Sequence, residues 1–329
     1  MAPAQYLTLA GVPQRVRPAN GEVFFWLDSQ GAWRPSEGDL SSSIDDACVQ
    51  IHDALACALF GTCDAYYVAL GKAPAFLSEA GMNSESKMSR ELFEKAIRQM
   101  DQSLCNRLLY LYDCQKLVTG VQECSKEVMI LQGEFYRTLN LEPLFHPSAP
   151  GPDGVRWFSS PATTKLHATL GVIYVRLHSL LDYLTRLAYE IEHLHSDFTR
   201  YPRYASKNIV FGDRKRLTSV RAEGTIFESC DVVQEVELLR NQIIHAGLLD
   251  DMPKAYQIVA DGRVTAKFIL LPDRGPEGQF EKHGNRSLFF SREDRINLRL
   301  PRLVRAFQER EVATLLEIRR PLLGMPLPA

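Results

Sequence analysis

Between Leu239 and Gly247 the chain reads Leu-Arg-Asn-Gln-Ile-Ile-His-Ala-Gly, and three of these side chains suit the chemistry of phosphate esters. The histidine, His245, can give or take a proton near neutral pH. The guanidinium of Arg240 can hold two phosphate oxygens and stabilise negative charge as it grows. If the ester is RNA, the nucleophile is already part of the substrate. Deprotonating a 2′-hydroxyl lets it attack the adjacent phosphorus, and the histidine of a second copy can protonate the leaving oxygen. This chemistry calls for no metal and no cofactor. On a regular helix Asn241 and His245, four apart, share a face, whereas Arg240 and His245 differ by about 140°. Arg240 must therefore reach round the helix end with its long side chain.

Each residue also has a plainer role. Glu237, three residues before Arg240, is either a further polar group of the site or simply its ion-pair partner. His245 can complement the negative end of a helix, and Asn241 can be helix surface. His178 and Asp182, four apart on a long helix, offer a second polar wall, although Asp182, Arg186 and Glu190 also form an ordinary i,i+4 charge ladder. His193 and His195, two apart, point in different directions and are not a metal pair. From Arg200 to Arg221 the text is basic and dotted with aromatic rings. There Arg203, Lys207, Arg214, Lys215 and Arg216 are candidates for holding single-stranded RNA.

These side chains hang on a mainly helical framework. Gln5 to Ala10 and Glu22 to Leu27, with the turn Asp28-Ser29-Gln30-Gly31 after them, predict a short strand cluster. Ser43 with Asp45 and Asp46 marks a helix start, and the pattern stays helical from Ile44 to Leu70. Further helical blocks are predicted over 89–117 and 122–139. Five prolines between Pro143 and Pro161 cannot continue a helix, so the domain boundary is placed there: a domain over 1–145 of unassigned role, a linker over 146–162 and a domain over 163–329. The second domain opens with Leu166, Leu170, Ile173, Leu177, Leu180, Leu184, Leu187, Ile191, Leu194 and Phe198, four and three apart. That spacing predicts one helix of about 36 residues with a single apolar seam. Asp231 to Ala246 reads as a helix capped by Gly247, Asp261-Gly262 as a hairpin turn, and Arg292 to Arg320 as a closing helix.

Composition excludes several classes. With 45% apolar and 24% charged residues in 329, the chain is not disordered. No run of about 18 apolar residues predicts a membrane span, and the start does not read as a secretory signal, so a cytoplasmic protein is expected. Residues 1–150 carry 12 Lys and Arg against 18 Asp and Glu, leaving 26 against 22 in residues 151–329. The second half is the one that tolerates a polyanion. Seven cysteines without a C-x-x-C pair argue against a disulfide framework and a zinc cluster. Cys48 with Cys57, and Cys105 with Cys114, read as small buried hydrophobes.

Arg240, Asn241 and His245 in the form Arg-Asn-x-x-x-His, after a long amphipathic helix and before a hairpin and a closing helix, resemble the HEPN superfamily over residues 160–320. The resemblance implies a HEPN-like helical bundle with a small β-hairpin insertion. It also implies a metal-independent endoribonuclease that acts as a homodimer in a toxin or phage-defence setting, with an antitoxin or sensor protein as a further partner. Some members instead only dimerise or bind RNA, which is the alternative for this chain. HEPN toxins controlled by a nucleotidyltransferase carry a tyrosine two residues after the histidine. Gly247 stands there, so that control is not available here.

Overall fold

The computed structural model describes residues 5–19, 21–78, 80–81, 84–85, 87–144 and 152–324. The chain is mainly helical, with small antiparallel sheets. The expected N-terminal cluster is a three-stranded sheet of β1 (Leu7–Thr8), β2 (Phe24–Leu27) and β3 (Trp33–Pro35). Its turn is fixed by the Asp28 carboxylate, which accepts the N–H groups of Gln30 and Ala32 and pairs with Arg34.

The first helical block departs from expectation in detail. It starts at Ser41, where Asp39 accepts from the Ser41 amide and hydroxyl, and it is two helices, α1 (Ser41–Phe60) and α2 (Cys63–Lys72). Gly61 at φ 84° turns the chain between them, and the Thr62 hydroxyl caps α2 by accepting from the Ala65 amide. The blocks expected over 89–117 and 122–139 are redistributed into a short α3 (Arg90–Ile97) and one 40-residue α4 (Gln102–Leu141). The break falls where the Asp101 carboxylate accepts from the amides of Ser103 and Leu104. A single glycine, Gly120, does not end α4.

Within the linker expected over 146–162, residues 146–151 lie outside the described residues, but Gly154–Phe158 is a strand, β4. It contains no proline, and it pairs antiparallel with β5 (Ala255–Ala260), opposing Trp157 to Tyr256. Pro161 opens α5 (Pro161–Glu192) at the position where a missing amide costs nothing, with the Ser160 hydroxyl accepting from Thr163. The α5 seam is buried from Leu166 to Ile191, and the helix stops at Glu192, before Leu194 and Phe198.

The predicted hairpin is present as β5 and β6 (Arg263–Phe268), with Asp261 and Gly262 both at positive φ, 52° and 68°, as a type I′ turn requires. The Asp153 carboxylate accepts both turn amides. After α6 (Asp231–Asn241), the hairpin, and a small β7 (Leu270–Leu271) and β8 (Asp294–Arg295) pair, α7 (Ile296–Gly324) closes the chain.

The two compact units do not follow the boundary expected at 146–162. One comprises residues 1–41, 124–179 and 228–310, the other residues 42–123, 180–227 and 311–329, so the division passes through α4, α5 and α7. In the first unit the N-terminal strands pack directly on the helices. Phe25 stacks on Tyr136 at 4.3 Å, Asn140 bridges to the backbone of Thr8, and Asn297 donates to the Leu9 carbonyl. Those strands therefore belong to the body that carries α6 and cannot form a separate domain.

In the second unit the fully buried Glu190 accepts from the Tyr110 hydroxyl and the amides of Ala205 and Ser206, pinning the connection after α5. Cys48, Cys105 and Cys114 are buried as expected, but Cys57 is not a free thiol. It is disulfide-bonded to Cys63 across the Gly61–Thr62 turn, which brings the two Cα atoms to 4.5 Å. Among the described residues no single helix is long and apolar enough to cross a membrane. The pair α1 and α2 reaches that composition only together, bent by 82°.

Candidate active site

Helix α6 presents Val233, Val236 and Leu239 to the core of the first unit, and between them a carboxylate, Glu235, that is 5% exposed. Burial of a charge demands compensation, and Glu235 has it. The Tyr174 hydroxyl donates to it at 2.8 Å, Arg299 reaches both its oxygens at 2.6 and 2.8 Å, and Arg274 pairs with it at 2.8 Å. Burial and the adjacent Glu235 charge push the Tyr174 hydroxyl far above the ordinary tyrosine range. Burial alone would lower the Arg299 pKa, but the Asp294 hydrogen bonds and the Glu235 charge outweigh it and raise it. This network locks the rotation of α6 about its own axis and so fixes where its last turn points. Sequence reading missed Glu235. Its only local trace is an acid on the apolar stripe of an amphipathic helix.

After Asn241 the winding changes. Residues Gln242–Ala246 form a π turn, ended by Gly247 at φ 95°, a conformation that favours glycine. A π turn bonds each residue to the one five away, so it superposes positions that an α-helix splays apart. Arg240 and His245 are five apart. In the structure Arg240 Nη1 donates to Asn241 Oδ1 at 2.9 Å and lies 3.2 Å from His245 Nε2. Regular-helix geometry predicted Asn241 and His245 together with Arg240 reaching round. Instead the backbone brings Arg240 to His245, and the three side chains form one group.

The chemistry of that group follows from its donors. A guanidinium can only donate, so Arg240 and Nε2 of His245 form a hydrogen bond when Nε2 presents its lone pair, and that lone pair is the one that can accept a proton. Asn241 and His245 are exposed and Arg240 is half-buried, so a substrate reaches all three without displacing core. Glu237 is half-buried on α6 and forms no ion pair with Arg240 among the described residues. His178 lies half-buried on α5, outside the hydrogen-bonded group of Arg240 and His245.

Asp182 falls in the second unit, where it accepts from the Phe211 amide at 2.8 Å and anchors the start of the 3-10 turn Phe211–Arg216. Asp182 and Glu190, the two acids of the expected ladder, both hold the connection after α5. All five basic candidates also lie in the second unit. Arg203, Lys207 and Lys215 are exposed. Arg214 folds back over the Phe211 ring at 4.1 Å, and Arg216 lies over Tyr189 at 5.1 Å while pairing with Asp213.

Beside the π turn, a mostly apolar cavity of about 550 Å³ runs between α5 and the segment after α6, lined by Val172, Val175, Ile243 and Leu248. His167 lies at this cavity, bonded to the Lys254 carbonyl at 3.2 Å, and burial lowers its pKa against that bond. No family model matches the chain, and neither a curated protein nor a solved structure matches it.

Proposed function

We propose that the chain is a HEPN-type endoribonuclease that cuts single-stranded RNA without a metal, with Arg240 and His245 as its catalytic pair and Asn241 orienting Arg240. The observation that carries this reading is the bond from Arg240 to Nε2 of His245 across the π turn. It joins an anion-binding group to a proton acceptor on an open surface. His245 takes the 2′-hydroxyl proton as the 2′-oxygen attacks phosphorus, and Arg240 moves onto the phosphate oxygens as their charge grows. The bond from phosphorus to the 5′-oxygen breaks, and the leaving oxygen takes a proton from the histidine of a second copy. The products are a 2′,3′-cyclic phosphate and a 5′-hydroxyl.

One histidine cannot be base and acid at once, so the reading requires a homodimer. The exposed apolar side chains of Val172, Ile244 and Leu248 around the π turn suit such a contact. A toxin or phage-defence role, with an antitoxin or sensor protein as partner, belongs to the same proposal. The test is incubation of the purified chain with single-stranded RNA in excess EDTA. Cleavage is expected, reduced about 10²–10⁴-fold in His245→Ala. A strand carrying deoxyribose at the scissile position should bind and stay intact. Undiminished cutting by His245→Ala refutes the assignment, and absence of any cutting by the wild type favours the non-catalytic module.

A further inference from the structure

The second unit contains a cavity of about 350 Å³ that the group around Arg240 and His245 does not involve. That is the lower end of the range for small-molecule pockets, about 300–1,000 Å³. Its walls are Lys116, Tyr183, Arg186 and Tyr204, with Asp113 at one side and Gly120 of α4 as the floor.

Two observations point to a ligand, and a third offers a way to block it. The first is charge. Arg186 and Lys116 outnumber the one lining carboxylate, Asp113, which accepts from the Tyr201 hydroxyl; the Nε of Arg186 is buried without a hydrogen-bond partner, and Lys116 is exposed to solvent. The pocket thus offers positive charge to an anion. The second is ring surface. Tyr204 is held by its hydroxyl donating to the Asp113 carbonyl at 2.6 Å, and its stretch of chain is pinned by buried Glu190. The Tyr183 ring lines the same space half-buried.

The third is the floor. Glycine is disfavoured against alanine inside a helix, yet a Cβ on Gly120 would meet nothing within 4 Å. No packing within the chain requires the missing side chain, so a longer side chain placed there can enter the cavity without a clash.

We propose that this cavity binds one nucleotide, its phosphate on Arg186 and Lys116 and its base against the rings of Tyr183 and Tyr204. Guanidinium and ammonium groups suit phosphate, and an aromatic ring stacks on any base. The same chemistry is offered by a free mononucleotide and by one residue of a single strand.

Isothermal titration of the full chain separates the two sources, using adenosine and uridine 5′-monophosphates, a five-residue oligoribonucleotide and inorganic phosphate. All are titrated into His245→Ala, so that cleavage does not interfere. Gly120→Met fills the floor with a good helix former and should melt no lower than its parent. Arg186→Gln removes the cation. Both should weaken binding at least tenfold. Binding of the mononucleotides assigns the pocket to free nucleotide. Binding of the oligonucleotide alone, lost in Gly120→Met, assigns it to a nucleotide of a strand. The proposal is overturned if neither binds, if Gly120→Met binds as its parent does, or if inorganic phosphate binds as tightly as the nucleotides.

Discussion

Glu235→Ala removes one carboxylate and leaves three partners without it, and the cost can be worked group by group. The Tyr174 hydroxyl, on a fully buried side chain, loses its acceptor, at about 1–3 kcal/mol for an orphaned buried donor. Arg274 and Arg299 lose a counter-charge, but their side chains are 23% and 27% exposed and partly rehydrate. Arg299 also keeps Asp294 at 2.8 and 2.9 Å. The two arginines therefore add about 2 kcal/mol rather than the full penalty of breaking a buried pair, for a total of about 3–5 kcal/mol. Urea denaturation followed by far-UV circular dichroism reads this directly, as a midpoint lowered by about 1–3 M. Combining Glu235→Ala with Tyr174→Phe removes the orphan, so the double variant should recover about 1 kcal/mol relative to the sum of the single losses. A Glu235→Ala chain within 1 kcal/mol of wild type would show that Glu235 does not hold α6 in place, and the account of how the π turn is aimed would fall with it.

Arg240→Lys keeps the charge but not the two-pronged hold on phosphate, so RNA cleavage should fall about 10²-fold with an unchanged melting temperature. Retention of full activity would reduce Arg240 to a point charge. Burial holds the folded-state pKa of His167 below the ordinary 6.5, so the unfolded chain binds more protons below that pH. Its contribution to stability is complete above pH 6.5 and is lost as the pH falls toward the folded value. His167→Gln should therefore flatten the decline of melting temperature on acidification, and an unaltered slope would disprove it. Leu248→Asp, at a side chain 61% exposed, should leave the fold intact and turn the dimer into a monomer by light scattering. A mutant dimer of undiminished affinity would place the contact elsewhere.

What could be read from the residues was whatever local pattern determines. The α5 seam, the Asp261–Gly262 turn and the Arg240, Asn241 and His245 cluster each depend on spacing along a few turns of chain. Long-range pairing was not legible. β4 forms because its partner lies a hundred residues further on, and the N-terminal strands join the body of α6 through Asn140 and Asn297. The Cys57–Cys63 bond depends on a tight turn at Gly61–Thr62 that helical periodicity reads straight through. At the site itself, residue types predicted the chemistry, but their alignment comes from a change of winding that apolar spacing does not encode. Glu235, which orients that winding, answers to arginines about forty and sixty positions away.

The π turn also means that the distance between Arg240 and His245 is a property of the backbone. A turn that holds one residue more than an α-helix can absorb it only by staying wide. Rewinding Gln242–Ala246 as regular α-helix, with no residue added or removed, would put Arg240 and His245 about 140° apart. Every functional group would then still be present and the pair would be gone. Control of such a pair needs no contact with either side chain. Whatever tightens the turn, by pulling on Gly247 or pressing on Ile243 from the neighbouring apolar cavity, parts a guanidinium from an imidazole as surely as a mutation would.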